Sequence, residues 1–467
     1  MPTLPLGYAA RLTAATALLV VVAGTSLAQT IPSDSAIRSI LKERVDSGRA
    51  PGIVVGILEH GQRRYIAYGS AGPGRPPLNE HTIFEIGSIS KTFTSLLLAD
   101  AVTRGEVRLD EPVADLLPAG TTVPSRDGKV ITLELLATHR SGLPRLPTNL
   151  VPADPADPYA DYTAARLYAF LATYQLPRAP GDSAEYSNLG VGLLGHALVR
   201  RAGASSWGAL VAQRIAGPLG MRETFVDVPA DARARVAAGH DASMDTVPAW
   251  HFDALAGAGA LRSSAADLLT YLAAELDTVS TSGPLGRAMA RARTPRADFG
   301  GGNRIALAWL IQGSTNPPFW WHNGETGGFT SFVAFDPARQ VAVVVLANAG
   351  VQVDDIGAHL IDPSVPLHMP PIPVHRTVVS LPVAALERVV GDYPLAPTFV
   401  LQVSRIGDAL YLQATGQQKV RLWPEAPDRF FIKEVDAQLT FTFNGNGSAT
   451  SVTLRQNGAS QTAPRKP

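Results

Sequence analysis

Three groups of residues in this sequence have the types and spacing needed for covalent acyl transfer. The first is Ser88-Ile89-Ser90-Lys91, a hydroxyl and an amine three positions apart. On a helix, positions i and i+3 share a face, which brings the amine within reach of the hydroxyl. A serine hydroxyl needs a base, and a lysine of reference pKa about 10.4 gives up its proton at neutral pH only for roughly 4 kcal/mol, so burial and a partner must lower that cost. The second group, Tyr186-Ser187-Asn188, supplies such a partner: a phenol beside an ammonium reaches the phenolate more easily, or relays a proton. Tyr186 is the one tyrosine of eleven followed by Asn two positions on. The third group is His322-Asn323-Gly324, where the one histidine of ten with Gly two positions on precedes Glu325. A small residue on a strand edge lets an extended substrate lie along the backbone, and the Glu325 and Ser88 N–H groups together would form an oxyanion hole.

Each group also has a plainer explanation. S-x-x-K recurs at Ser39-Ile40-Leu41-Lys42, inside a stretch from Ala36 to Val45 whose apolar positions follow helical spacing. That copy reads as a surface helix, with Lys42 beside Glu43 and Arg44 on its solvated side. Ser88 alone could be a helix N-cap, Tyr186 a buried aromatic, and H-x-G an ordinary strand entry. Gly190-Val191-Gly192-Leu193-Leu194-Gly195 matches a dinucleotide fingerprint but follows Tyr186-Ser187-Asn188-Leu189 rather than a strand, so close helix packing explains it better. His139 reads as closing a helix near Gly142. Neither H-E-x-x-H nor G-x-S-x-G occurs, and no metal or cofactor is expected.

The elements that must position these groups are legible in outline. Ile89, Phe93, Leu96 and Leu97 predict a buried helix starting at Ser88. Gly52 to Leu58 and Arg64 to Tyr68 predict a hairpin around Glu59-His60-Gly61-Gln62, and Ser331 to Phe335 and Val341 to Ala347 predict a second around Asp336-Pro337-Ala338-Arg339. Strands at both ends of a mostly helical middle predict an α/β fold: an antiparallel sheet flanked by helices, with an all-helical subdomain inserted. Prolines at 363, 366, 370, 371, 373 and 382 predict a stiff linker over 361–383 between a 33–360 domain and a 384–467 domain. Beyond it, alternating runs at Phe399 to Val403, Leu410 to Gln413, Val420 to Trp423, Phe430 to Ile432, Leu439 to Phe443 and Val452 to Arg455 predict a small all-β barrel, in a supporting or shielding role.

Composition narrows the partners. The formal net charge is zero and no segment carries a block of like charge, which leaves no footprint for nucleic acid or an anionic membrane. A small molecule or peptide is the expected substrate. Residues 1–28 place Arg11 before an apolar run from Leu12 to Ala23 and a Ser26-Leu27-Ala28 site, the pattern of a cleaved signal peptide too short to span a bilayer. With no cysteine, a thiolate nucleophile, disulfides and a lipid-anchor cysteine are excluded, and a periplasmic or secreted bacterial protein without stable membrane insertion is expected.

In the order S-x-x-K, Y-x-N, H-x-G, the three groups resemble the penicillin-recognising serine hydrolases, in the form found in class C beta-lactamases, related DD-peptidases and D-aminopeptidases, and esterases of that fold. Thr132 to Pro144, Pro218-Leu219-Gly220-Met221 and Gly259 to Leu268 add to the likeness, which spans about residues 33 to 350. The C-terminal part resembles the lipocalin-like domain appended to some members. The resemblance implies Ser88 as acylated nucleophile, Lys91 and Tyr186 as the base pair, Asn188 holding Lys91 and the substrate amide, and His322 and Gly324 lining the strand side. His322 stands where beta-lactamases usually carry lysine, and no Lys or Arg lies between Arg304 and Arg339 to attract a substrate carboxylate. The expected function is therefore hydrolysis of beta-lactams or D-amino-acid peptides, with cleavage of neutral esters, or non-catalytic penicillin binding, as the alternatives.

Overall fold

The structure, a computed structural model, describes residues 31–277, 283–313, 318–372, 376–417, 419–433, 435–456 and 458–466. The expected signal peptide lies outside the described residues.

Helix α1 (Asp34–Asp46) is capped by the Ser33 hydroxyl and leads into β1 (Gly52–Glu59) and β2 (Gln62–Gly69). His60 and Gly61 join the two strands, both with positive φ, in the tight turn a right-twisted hairpin needs. Much later come β3 (Ala297–Gly300), β4 (Asn303–Ile305), β5 (Leu310–Ile311), β6 (Trp320–Glu325), β7 (Thr330–Asp336) and β8 (Val341–Ala347). They form one eight-stranded antiparallel sheet in the order β2-β1-β8-β7-β6-β5-β4-β3, so strands from the two ends of the domain meet at its centre. The sequence Val341-Ala342-Val343-Val344-Val345-Leu346-Ala347 shows no polar alternation because both faces of β8 are covered. Val344 and Leu346 face a core built with α2 (Ser90–Thr103) and α4 (Ala265–Leu276), while Val343 and Val345 face α1 and α5 (Asp354–Ile361). The helical middle contributes α3 (Asn188–Ala202), ended by Gly203 in the left-handed region.

Arg44 departs from the solvated side expected for it. One turn beyond Leu41, it falls on the same face as Ile37 and Leu41 and is buried, its guanidinium bound to the Asp355 carboxylate and the His368 carbonyl. Lys42 is exposed and pairs with Asp46, and Ser39 donates to the Ser35 carbonyl, so the second S-x-x-K is a surface feature.

Beyond 390 the chain makes eight consecutive antiparallel strands, each paired with the next: Gly391–Ala396, Phe399–Ile406, Ala409–Ala414, Lys419–Ala426, Arg429–Ile432, Ala437–Phe443, Ala449–Gln456 and Ala459–Pro464. The first and last approach each other, with Lys466 N donating to Asp392 O at 2.7 Å, and the sheet curls into a nearly closed barrel around Tyr393, Leu401, Phe430, Leu439 and Phe441. The barrel touches the rest of the chain through the turn Asp241–Asp245: Lys433 Nζ is 3.1 Å from Asp245, and Ala242 N donates to Lys433 O.

Candidate active site

A two-stranded ladder of Ile83–Glu85 with Arg262–Ser264 delivers the chain to Ser88. The ladder is locked by a buried Glu85–Arg262 pair at 3.1 Å, and Trp250 N donates to the same carboxylate at 2.9 Å. Gly87–Ile89 then forms a 3₁₀ turn ahead of α2, and Leu261 N bonds Ser90 Oγ at 3.0 Å while Ile86 N bonds Leu261 O. Every residue of α2 from Ser90 to Ala101 is buried, so the nucleophile turn stands on a rigid core helix. Ser88 itself is half-buried and open to the cleft.

Lys91 is fully buried, and its Nζ lies 2.7 Å from Ser88 Oγ and 2.7 Å from Ala258 O. No carboxylate touches it among the described residues. Burial, and after it the charge of Arg145, pushes its pKa well below the usual lysine value. A neutral amine donating to the Ala258 carbonyl keeps a lone pair for the Ser88 proton. The glycines of the Gly190–Gly195 run make this acceptor possible: Gly195 sits where a Cβ would come within 3.0 Å of Gly257, so α3 packs directly on the turn that presents Ala258.

Tyr186 is brought beside the pair, with Lys91 Nζ 4.9 Å from its ring centre. Burial raises its phenol to about 12, against the lowering effects of its hydrogen bond with Ser88 and of Arg145. The phenol is thus protonated at neutral pH, and of the two roles open to it from sequence, proton relay is the one its surroundings favour. His139, read from sequence as a helix terminator, also positions Tyr186: the tilted rings lie 4.5 Å apart, and Ser187 N donates to His139 Nδ1 at 3.1 Å. His139 has positive φ, and burial with three nearby cationic or imidazole groups holds it neutral. Ser187 caps α3 by accepting from Gly190 N at 2.8 Å. Asn188, expected to hold Lys91, instead points its Nδ2 at Tyr159 Oη, 3.5 Å away, and leaves its buried Oδ1 without a protein partner. The Lys91 amine reaches Ala258 O in its place because α3 and the 256–258 turn pack so closely.

His322 lies in β6 with its ring buried and facing the site; Nδ1 donates to Asn323 O at 2.6 Å, and Nε2 has no protein partner. Burial, then Lys91, lowers its pKa to about 3, so the imidazole is neutral. Gly324 also packs against the nucleophile turn. The space of its missing side chain is filled by the Ile86 carbonyl and Ser331 Oγ, which bond each other at 3.0 Å. Opposite, a Cβ on Gly87 would lie 2.6 Å from Glu325 N. The two glycines therefore let the nucleophile turn and β6 touch backbone to backbone, bringing the Ser88 turn against the Glu325 amide. The Glu325 side chain is exposed at the rim and accepts from Gln352 Nε2 at 3.2 Å.

Sequence reasoning missed Arg145, three residues past Gly142 in the loop that follows His139. Its carbonyl accepts from Asn188 N at 3.0 Å and Leu189 N at 3.2 Å, and its exposed guanidinium lies 5.2 Å from the Tyr186 ring centre. The turn residues Ser141-Gly142-Leu143-Pro144 announce a loop, but nothing local says that the loop meets α3. An aromatic wall was missed for the same reason: Tyr159 stacks on Phe252 at 4.7 Å and touches Trp250, against which Gly327 packs.

Comparison with known proteins places this arrangement. A family model described as Beta-lactamase matches residues 37–362, and one described as Domain of unknown function (DUF3471) matches 375–464. Among curated relatives, a beta-lactamase of Pseudomonas fluorescens is 27% identical over 348 residues, covering 68% of this chain and 92% of the relative. The D-alanyl-D-alanine-carboxypeptidase/endopeptidase AmpH of Escherichia coli is 29% identical over 316 residues, covering 64% of this chain and 80% of the relative. Among solved structures, a class C beta-lactamase from Rhodobacter sphaeroides superposes with a TM-score of 0.58 at 29% identity, over 67% of this chain and 94% of that one. A beta-lactamase/D-alanine carboxypeptidase from Pseudomonas syringae shares the fold at a TM-score of 0.61 and 24% identity, over 72% and 99%.

Proposed function

We propose, from the premise that this chain belongs to the Beta-lactamase family and is a serine hydrolase, that Ser88 forms an acyl-enzyme with beta-lactams or D-amino-acid peptides. The observation that carries the reading is the buried, carboxylate-free Lys91 amine 2.7 Å from Ser88 Oγ. Ser88 Oγ attacks the substrate carbonyl as its proton passes to Lys91 Nζ. Tyr186 gives its phenolic proton to the leaving nitrogen and regains one from Lys91. The oxyanion sits between the Ser88 and Glu325 amides, preorganised because both are backbone groups fixed by the packing of Gly87 on Glu325 and of Gly324 on Ile86. Water then attacks the ester along the same relay, returning the proton to Ser88. Asn188, His322 and Gly324 border the acyl-binding cleft.

A second reading, cleavage of neutral acyl esters, is favoured by one observation: β6 offers no cation, since His322, its one basic side chain, is neutral. Binding without turnover is disfavoured by a complete base and relay around Ser88. Residues 33–360 would form the hydrolase domain, 361–383 the linker and 384–467 a lipocalin-like accessory domain, with export directed by residues 1–28. Among the described residues no helix is long and apolar enough to cross a membrane.

The test is intact-mass analysis and steady-state turnover with nitrocefin, an N-acyl-D-alanyl-D-alanine peptide and p-nitrophenyl esters. A Ser88-linked adduct with turnover of the first two is expected, and Ser88→Ala should abolish both. Turnover retained by Ser88→Ala ends the assignment, and ester cleavage alone selects the second reading.

A further inference from the structure

With the His322 imidazole neutral, β6 carries no cation, so an anionic substrate needs one from elsewhere in the cleft. One stands on the opposite wall. Arg145 lies next to Tyr186, with its Cζ 5.2 Å from the ring centre, and no carboxylate of the described residues reaches salt-bridge distance of it. The contrast with other arginines around the site is plain: Arg262 is paired with Glu85, Arg178 with Glu185, and Arg296 with Glu134. Arg145 is exposed, so its charge is available to solvent and ligand. Its backbone is also well held, because its carbonyl takes the first two amides of α3, those of Asn188 and Leu189. The groups that feel its charge are those of the site: Lys91, His139, Tyr159, Tyr186 and Glu325.

We propose that Arg145 is a specificity-determining residue of the cleft, receiving a carboxylate of the substrate from the helical wall and so supplying the charge that the strand wall lacks. The inference rests on the acyl-transfer reading of Ser88. Arginine suits the role: its planar fork binds a carboxylate through two parallel N–H donors. Among the described residues no cation lies within salt-bridge distance of Glu325, so the end of β6 offers a substrate carboxylate nothing and leaves it to the Arg145 wall. The same guanidinium disfavours the protonated form of Lys91, so an arriving carboxylate and an available base draw on one charge.

The test compares wild type, Arg145→Met and Arg145→Lys on matched pairs of esters. One pair carries a free carboxylate or its methyl ester on the leaving-group side; the other carries the same two groups on the acyl side, as in glutaryl and methyl-glutaryl p-nitrophenyl esters. The readout is the ratio of kcat/KM for the carboxylate to that for its methyl ester. In Arg145→Met this ratio should fall tenfold to a hundredfold in one pair, through KM, with Arg145→Lys between; the pair that responds tells which side carries the anion. Raising ionic strength should weaken the carboxylate preference of wild type and leave that of Arg145→Met unchanged. If neither ratio moves by more than twofold in a variant with wild-type circular dichroism, the proposal is wrong. Failure of the acyl-transfer reading is separately visible, as turnover of all four esters by Ser88→Ala.

Discussion

Replacing Gly87 with alanine tests whether the contact between the nucleophile turn and β6 builds the oxyanion site. Gly87 has φ +47, a region in which an L side chain costs about 1–2 kcal/mol. The added methyl would also stand 2.6 Å from Glu325 N and 2.7 Å from Glu325 O, against a normal contact of 3.4 Å or more, and both obstacles are backbone. The turn and the strand must separate by most of an ångström, and forcing a core contact apart in this way costs about another 1–3 kcal/mol. The catalytic consequence is larger, since the two amides moved apart are those of Ser88 and Glu325. A misplacement of that size is worth roughly 10²-fold in rate, and loss of one oxyanion donor about 10²–10³-fold. The assay pairs kcat with a chromogenic ester against thermal unfolding by circular dichroism. Gly105→Ala is the control, because Gly105 also has positive φ, +71, but would meet nothing within 4 Å. It should show the conformational cost alone with wild-type kcat. If Gly87→Ala keeps kcat within threefold of wild type, or if Gly105→Ala loses as much, the oxyanion reasoning is refuted.

Tyr186→Phe removes the relay but leaves the ring contact with His139, so kcat should drop about 10²–10⁴-fold with little change in melting temperature; an unchanged kcat would remove Tyr186 from the mechanism. The folded-state pKa of Lys91 lies below 10.5, so the unfolded chain binds the extra proton between the two values and stability rises with pH across that window. Lys91→Met should therefore be inactive yet melt higher than wild type, with the gain largest at the acid end and vanishing above pH 10.5; a gain independent of pH would contradict this. Activity of the wild type should fall as pH drops through the lowered Lys91 pKa, where the base becomes protonated. Glu275 is fully buried, with its carboxyl raised from 4.5 to about 8, and so loses stability for the fold as pH rises between those values. Glu275→Gln should match wild type in stability near pH 4 and exceed it above pH 8, measured by urea denaturation; equal curves at both pH values would count against a neutral buried carboxyl.

Sheet and nucleophile were readable where the signal is local. Val341 to Ala347 and Gly52 to Leu58 announce strands through β-branched runs, and short motifs with distinctive neighbours mark Ser88, Tyr186 and His322. The outer strands β3 to β5 were not readable, being two to four residues long around the glycines 300–302. The first and last barrel strands were hidden too, one by Pro394 and the other by the polar run Ala459-Ser460-Gln461-Thr462, since an edge strand facing solvent needs no apolar alternation. In the site, what sequence could not supply was the set of contacts across the fold. Arg145 meets Tyr186 across 41 positions of chain, and Ala258 meets Lys91 across 167. Gly324 was recognised as requiring a small residue, but what fills the space, the Ile86 carbonyl, is known only once β6 and the nucleophile turn are docked.

The pairing of β1 with β8 also constrains how the molecule comes into being. Ile53 lies in register opposite Ala347, so the central pair of the catalytic sheet closes a loop of nearly the entire domain. A growing chain cannot complete that sheet, or bury α2 and its nucleophile turn against it, until residue 347 has been made; up to then the apolar β1 strand has an open edge. The barrel follows the opposite rule, each strand pairing with the one just synthesised. Two folding regimes are thus joined in one polypeptide: a slow, non-local closure that arms the serine last, and a rapid, sequential winding that follows it.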